Sequence, residues 1–122
     1  MKRVILDTNF LIYCIKEKIH IEVELSRILD SSFKIALIDK TIDELKKLTR
    51  ESKTKDSAQI ALKIATKYEL IETTEEENQL VDDLILKNLK KDDIVATMDR
   101  ELQKQLKHPY IVIRQKKYLS LK

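Results

Sequence analysis

The fold is decided by an apolar run that ends in an acid, Val4-Ile5-Leu6-Asp7. A short, continuous apolar run of this kind is typical of a strand that is buried on both faces of a parallel sheet. The pattern returns late in the chain, where Ile94-Val95-Ala96-Thr97 precedes Asp99. Open parallel sheets bind their ligands at the carboxyl ends of the strands. The two acids are therefore predicted to lie at one edge of the same sheet.

Apolar residues elsewhere alternate between strand-like and helix-like spacing. Strands are predicted at 4–6, 34–38, 68–71, 94–97 and 110–113, and helices at 10–15, 21–29, 41–48, 58–67, 74–88 and 100–106. The helix at 74 is indicated by a capping-box pattern in Thr74-Glu75-Glu76-Glu77. Such alternation gives a three-layer α/β/α fold around a central, mainly parallel sheet of four to five strands. No Pro-, Gly- or Ser-rich linker interrupts the 122 residues, so a single domain is predicted over 1–122.

The composition excludes several classes of protein. The chain has no glycine, which excludes a Gly-rich phosphate loop and a GxGxxG dinucleotide turn. Its one cysteine, Cys14, excludes an internal disulfide and a thiolate metal cluster. No apolar run approaches the ~20 residues of a membrane span. The first residues lack the apolar stretch and cleavage site of a signal peptide. A cytoplasmic protein without membrane contact is expected.

Positive charge is concentrated in the last third of the chain. Residues 90–122 carry nine Lys and Arg against four Asp and Glu, whereas the net charge of the whole chain is +3. A basic surface around an acidic, metal-binding pocket suits a polyanionic substrate. A Lys-rich solvated surface would give the same count. Charge alone does not separate these two interpretations.

Four acids are the candidate metal ligands of the chain, namely Asp7, Glu44, Asp82 and Asp99. Carboxylates that gather at one sheet edge repel one another, and a divalent cation relieves that repulsion. Hard oxygen ligands without Cys or His favour Mg²⁺ or Mn²⁺. Such an ion activates a water and stabilises charge on a phosphate being cleaved, and a second ion can join it ~4 Å away. Three polar residues would orient the ligands or the attacking water, namely Thr8, Asn9 and Thr97.

Each acid also has a purely structural interpretation. Asp7 and Asp99 both suit a helix N-cap. Glu44 follows Thr41 by three residues, as in a capping box. Asp82 and Asp83 lie between apolar residues of one predicted helix, where burial without a partner would be costly, so a solvated face is the alternative.

Four segments resemble, in order, the four motifs of the PIN-domain nucleases: residues 4–10, 41–48, 81–83 and 94–102. The resemblance runs from about residue 3 to residue 119. It is closest to the archaeal and eukaryotic Fcf-type branch, whose eukaryotic members act in small-subunit ribosomal RNA processing. The pair Asp82-Asp83 and the segments 61–65 and 114–118 favour that branch.

The resemblance implies an Mg²⁺- or Mn²⁺-dependent endoribonuclease with a three-layer α/β/α fold and the four acids as ligands. It favours Asp82 over Asp83 as the main ligand, with Asp83 in an assisting role. One departure concerns the third motif. A glycine commonly precedes that motif in the branch, and Glu77-Asn78-Gln79-Leu80 stands here instead.

Three other functions compete with this one. A VapC-type toxin that cuts transfer or ribosomal RNA and is silenced by an antitoxin has the same motifs. A small phosphohydrolase with Asp7 as nucleophile usually has a second Asp where Asn9 stands. A catalytically silent PIN module would bind only RNA or protein, and the presence of all four acids argues against it. The partners that follow from these interpretations are ribosomal or transfer RNA, an antitoxin or ribosome-assembly factor, and a second copy of the chain.

The end of the chain is the candidate RNA-binding segment. Arg114, Lys116 and Lys117 could contact phosphates while Tyr110 and Tyr118 stack on bases. The alternative is an ordinary last strand and tail. The two histidines, at positions 20 and 108, lie in predicted connections and are not expected to bind metal.

Overall fold

The computed structural model of the chain describes residues 1–51, 53–73 and 79–122. Its strands are β1 (Lys2–Leu6), β2 (Phe33–Ile38), β3 (Glu69–Ile71), β4 (Ile94–Ala96), β5 (Ile111–Arg114) and β6 (Tyr118–Leu121). Its helices are α1 (Thr8–Lys16), α2 (Ile21–Ile28), α3 (Asp39–Leu48), α4 (Lys55–Ala65), α5 (Val81–Lys87) and α6 (Arg100–Gln105). The strands form one sheet in the order β3-β2-β1-β4-β5-β6.

Strand β1 lies at the centre of the sheet and is parallel to both of its neighbours. Val4 is in register with Ile35 of β2 and with Ile94 of β4. The strand order reverses at this point, because the chain runs outward through β2 and β3 on one side and through β4 and β5 on the other. Such a switch point leaves a crevice at the carboxyl ends of the two central strands.

Side chains of the sheet pack against helices on both faces. In β1 the buried residues alternate, so that Val4 and Leu6 contact one core while Ile5 contacts the other. The first core includes buried residues of α1, α2, α3 and α4, and the second includes buried residues of α5 and α6. The predicted three-layer α/β/α architecture is therefore confirmed. None of the helices in the described part of the chain combines the length and apolar character that a membrane span requires.

A sixth strand extends the sheet beyond the predicted four to five. Strand β6 pairs with β5 in the antiparallel direction, and Arg114 lies opposite Tyr118. In the turn between them φ is 53° at Gln115 and 57° at Lys116, and the Lys117 N–H donates to the Arg114 carbonyl over 3.0 Å. Positive φ at both central residues defines a type I′ turn, which normally takes Asn or Gly. The turn lacks those residues, so the usual sequence signal of a hairpin is missing.

The free edge of β6 is covered by two side chains of α2. Leu119 donates its N–H to Glu24 Oε1 over 2.9 Å and accepts from Arg27 Nη2 over 2.6 Å through its carbonyl. Glu24 and Arg27 are themselves paired at 3.0 Å. The main-chain groups of Leu119 are therefore unavailable to an added strand, a device that blunts sheet edges.

The predicted helix over 74–88 is not continuous, because residues 79–80 are not helical. Residues 74–78, which carry the capping-box pattern, lie outside the described residues, and α5 begins only at Val81. Leu80 is extended, with φ −79° and ψ 155°. The main-chain carbonyl of Gln79 accepts a hydrogen bond from Lys40 Nζ, so it is held by α3 instead of by a helical turn.

A buried ion pair ties β1 to the residue before β4. Arg3 donates to both carboxylate oxygens of Asp93, at 3.2 and 2.7 Å, and the two side chains are only 12% and 5% exposed. Asp93 also accepts from the Lys90 N–H over 2.8 Å. Every oxygen of the carboxylate is thus satisfied in a site that water hardly reaches.

Removing one partner of this pair should destabilise the fold strongly. Asp93→Leu is expected to lower the free energy of unfolding by about 3 kcal/mol, because the Arg3 charge stays buried without a countercharge. Adding Arg3→Met should recover at least half of that loss, since no uncompensated charge remains. Urea unfolding measures both. The exposed Lys104→Ala serves as control, with a change below about 0.5 kcal/mol. Equal losses for Asp93→Leu and Lys104→Ala would contradict this account.

Candidate active site at the carboxyl edge of the sheet

Four elements bring the four predicted acids around one cavity. Asp7 follows β1, Glu44 lies in α3, Asp82 lies in the first turn of α5, and Asp99 precedes α6. All four line a cavity of about 280 Å³ at the carboxyl edge of the sheet. Asp83 is exposed and does not line it. The structure thus brings together the four residues that the sequence singled out and leaves Asp83 outside.

The surroundings of Asp7 raise the pKa of its carboxyl group. Burial raises its pKa above the ordinary value of 3.8, hydrogen bonds from Thr97 and the Thr8 N–H lower it, and the charges of Asp82 and Asp99 raise it again. The net effect is a raised pKa. Partial burial is thus the main cause of the shift, and the charges of Asp82 and Asp99 add to it.

Thr97 joins the ends of β1 and β4. Its side chain is fully buried, and its hydroxyl donates to Asp7 Oδ2 over 2.8 Å while accepting from the Asp99 N–H over 3.0 Å. Gln103 Nε2 donates to the Thr97 carbonyl over 2.8 Å. The predicted orienting role of Thr97 thus has a geometric basis, because one hydroxyl fixes both the Asp7 carboxylate and the start of the Asp99 turn.

The Glu44 carboxylate is hydrogen-bonded to Thr8, which is in turn hydrogen-bonded to Thr41, and both threonines are buried. Thr8 Oγ1 donates to Glu44 Oε1 over 2.6 Å, and the hydroxyls of Thr8 and Thr41 are hydrogen-bonded to each other over 3.1 Å. Helix α3 begins at Asp39, so Thr41 lies inside it and does not cap it. The capping-box interpretation of Glu44 is therefore wrong. The carboxylate is oriented toward the cavity by the side chain that follows Asp7.

The capping interpretation applies to Asp99 but not to Asp7. Asp99 Oδ1 accepts from the N–H groups of Glu101 and Leu102 at 2.8 and 3.1 Å, as an N-cap of α6. Asp7 stands at the N-cap position of α1, yet its side chain makes no capping bond among the described residues. Asn9 lines the cavity and is exposed. Asp99 thus caps α6 and lines the cavity with the same side chain.

The first residues of α3 anchor the chain on both sides of residues 74–78. Asp39 accepts from the Thr73 N–H over 2.9 Å and from its hydroxyl over 2.8 Å. Lys40 Nζ donates to the Gln79 carbonyl. These contacts place Leu80 and the start of α5, and with it Asp82, at the cavity. Sequence reasoning missed Asp39 and Lys40, because neither lies in an acid motif or a recognisable cap.

The donor chemistry of the site fits a hard divalent cation. Carboxylate oxygens line the cavity beside the Thr8 hydroxyl, and oxygen donors of this kind are the ligands that hard divalent cations prefer. Over residues 1–51, 53–73 and 79–122, no three His, Cys, Asp or Glu side chains are arranged to hold a metal ion together. An ion held here would therefore have to draw the carboxylates closer than they lie without it.

Two charged residues in the cavity wall were not singled out from the sequence, Lys47 and Glu51. Lys47 follows Glu44 by three residues, a spacing that places both on one side of a helix. The predicted helix over 41–48 contains both residues, so this spacing was already visible in the sequence. The histidines lie elsewhere: His20 accepts from the Val23 N–H as the N-cap of α2, and His108 lines a different cavity.

The candidate RNA-binding residues lie at the same edge but outside the cavity. Arg114, Lys116 and Lys117 are exposed and belong to the turn that follows β5. The guanidinium of Arg27 lies 5.7 Å from the centre of the Tyr118 ring. One face of that ring is therefore occupied, which restricts the stacking role predicted for Tyr118. The basic turn is two strands away from Asp7 in the sheet.

Comparison with known proteins gives both a family and a fold. The model of the family described as "PIN like domain" matches residues 4–116. The chain is 34% identical over 130 residues to Ribonuclease VapC4 of Methanocaldococcus jannaschii, covering 99% of this chain and 97% of that relative. The structure resembles the PIN domain endonuclease Utp24 with a TM-score of 0.79 and 25% identity, over 98% of this chain and 90% of that one.

A more distant likeness supports the fold alone. It is to VapBC2 from Rickettsia felis bound to a DNA fragment from the promoter, with a TM-score of 0.53 and 20% identity, over 84% of this chain and 92% of that one. The family match and the identity to Ribonuclease VapC4 each span nearly the whole chain. The acids that line the cavity fall inside the matched residues, and the chain belongs to the PIN-like domain family of nucleases.

Proposed function

We propose that the protein is a divalent-metal-dependent endoribonuclease that hydrolyses phosphodiester bonds in ribosomal RNA processing. The observation that carries the proposal is the convergence of Asp7, Glu44, Asp82 and Asp99 on one cavity from four different elements. Two similar proteins, one described as a ribonuclease and one as a PIN domain endonuclease, support this class of reaction. The substrate is cytoplasmic RNA.

In this mechanism the four acids would hold Mg²⁺ or Mn²⁺. When bound, the ion supplies a water activated for attack and neutralises charge on the phosphate. The described chain offers no Cys, Ser or His nucleophile at the cavity, so the protein's part is orientation. Thr97 fixes the Asp7 carboxylate, and Thr8 with Thr41 fixes that of Glu44. Asn9 is placed to orient substrate or water, because it lines the cavity with an exposed amide.

The basic turn after β5 extends the substrate path. Arg114, Lys116 and Lys117 lie at the carboxyl edge of the sheet, the edge that carries the acids. Their positive charge balances the repulsion that the acidic cavity exerts on a polyanion. A strand of RNA bound to the turn would present a phosphate to the cavity, so the turn contributes affinity while the cavity contributes chemistry.

A second candidate is a toxin ribonuclease controlled by an antitoxin. The identity to Ribonuclease VapC4 favours it, because that relative covers almost the whole chain. Incubation with total RNA separates the two. A processing enzyme should cut precursor ribosomal RNA and leave mature RNA intact, whereas a toxin should cut a mature ribosomal or transfer RNA. Mapping the cleaved ends by sequencing identifies which of these occurs.

Removal of a cavity acid should abolish cleavage. Asp7→Asn and Asp82→Asn are expected to lower the single-turnover rate on RNA with Mn²⁺ by about 1,000-fold, since losing a ligand removes several kcal/mol of transition-state stabilisation. EDTA should have the same effect on the native protein. Asp83→Asn is the matched control, because that acid lies outside the cavity, and its rate should stay within about threefold. Cleavage that survives Asp7→Asn would refute the proposal.

The Asp7 carboxylate should also lower the stability of the protein when no metal ion is bound. Asp7→Asn is expected to raise the free energy of unfolding at pH 7 by about 0.5–2 kcal/mol, because it removes a charge that is partly desolvated and is repelled by Asp82 and Asp99. The raised pKa means that the folded state binds this proton more tightly than the unfolded state. Ionisation of Asp7 therefore costs stability, and the gain should vanish as pH falls toward 3.8.

Thermal unfolding in EDTA at several pH values measures this effect. Added Mn²⁺ should then raise the melting temperature of the native protein but not that of Asp7→Asn. A lower stability of Asp7→Asn at pH 7 would contradict the repulsion argument.

The basic turn should control binding more than chemistry. Lys116→Ala with Lys117→Ala is expected to weaken RNA binding and to reduce the slope of log K against log salt by about 1.5, since each phosphate that is no longer neutralised lowers the slope by roughly 0.7–0.9. Fluorescence anisotropy across a salt series measures both quantities. Lys63→Ala with Lys67→Ala, on and after α4, removes equal charge elsewhere. If both pairs change the slope equally, the turn has no special role.

A further inference from the structure

One basic side chain lies in the wall of the acidic cavity. Among the described residues, the charged groups that line it are five carboxyls and a single cation, Lys47; the carboxyls belong to Asp7, Glu44, Glu51, Asp82 and Asp99. We propose that Lys47 binds a non-bridging oxygen of the RNA phosphodiester at this site. The inference rests on the proposed function and assigns the residue that receives the reacting phosphate.

Helix geometry directs Lys47 to this position. The inner face of α3 is formed by Thr41 and Leu45, which are fully buried. Lys47 follows Glu44 by three residues, so the two side chains lie on the same side of the helix, next to one another. Lys46 and Lys47 are both exposed, but only Lys47 lines the cavity. Adjacent residues with the same charge thus have different surroundings.

The ordinary explanation of a lysine here applies to both residues. Lys46 and Lys47 both occupy the last turn of α3, where positive charge interacts favourably with the helix dipole. That effect therefore cannot explain why one of them faces the acids. Lys47 also forms no ion pair within 4.0 Å with any carboxylate of the described residues, so its charge is not taken up by one partner.

The chemistry of the substrate requires a cation in this place. A phosphodiester carries a negative charge, and the cavity that must receive it carries an excess of carboxylates. An ammonium group offers three N–H donors and a full charge, which suits a phosphate oxygen. As the attacking oxygen adds, charge on the non-bridging oxygens grows, and a fixed cation stabilises the transition state more than the ground state.

Substitution of the two neighbouring lysines tests the assignment. Lys47→Ala is expected to lower the single-turnover rate on RNA by about 100-fold at saturating Mn²⁺, as for removal of one fixed donor to a developing charge. Lys46→Ala removes the same charge from the same helix turn and should stay within about threefold. Lys47→Arg should restore part of the rate, since it keeps the charge. The melting temperatures should agree within about 2 °C, which excludes a general effect on folding.

A binding measurement keeps the test independent of the proposed function. RNA binding is measured by anisotropy in Asp7→Asn, with Lys47→Ala or Lys46→Ala added. Weaker binding for Lys47→Ala alone supports a phosphate contact even where the native protein cleaves no RNA. Equal binding, together with equal rates where cleavage occurs, would overturn the assignment. If Lys47→Ala binds Mn²⁺ more tightly but cleaves RNA at an unchanged rate, Lys47 only balances the charge of the acids. That result would also overturn the assignment.

Discussion

Parallel pairing of β1 with both β2 and β4 is the constraint on which the site depends. The ladder does not stop at the last strand residue, because the Asp7 N–H donates to the Ala96 carbonyl over 3.0 Å. One strand further on, the Thr97 N–H donates to the Ile111 carbonyl over 3.1 Å. Main-chain hydrogen bonds thus fix the residues just beyond β1 and β4 relative to one another and to β5. Side chains on those residues converge without any help from a flexible loop.

This convergence of carboxylates is costly for stability. Five carboxyls line one cavity, and the half-buried Asp7 among them has a raised pKa. The fold tolerates this repulsion because the carboxylates lie at the edge of the sheet. The apolar cores on the two faces of β1 are buried and contain none of them. Hydrogen bonds from the buried Thr8 and Thr97 orient the carboxylates of Glu44 and Asp7 within the cavity. Stability given up at such a site is the usual counterpart of function.

The strands that are buried on both faces could be predicted from the sequence. The start of α5 and the strand β6 could not. The buried parts of β1 and β4 are continuous apolar runs. Because the two strands are parallel, Asp7 and Asp99 could be placed at the same edge of the sheet. The start of α5 could not be predicted, because a local capping pattern at 74–77 competes with long-range contacts from Lys40 that no local pattern contains. Strand β6 was missed because its tight turn lacks Asn and Gly. Lys47 lies inside the predicted helix 41–48, three residues after Glu44, but the sequence does not show that a cavity forms beside it.

The order of the strands along the chain differs from their order in the sheet, and this affects how the protein is made. Asp7 is synthesised first, yet its neighbour across the sheet, β4, comes only after β2 and β3, and Asp99 later still. Since domains fold as the chain emerges, β1 can pair with β2 early but lacks its other partner for most of synthesis. The four acids cannot assemble around the cavity before β4 and Asp99 have been synthesised. The cavity that these acids line therefore forms only after the pairing of β1 with β2 has become possible, because its last lining residue comes from the far side of the sheet.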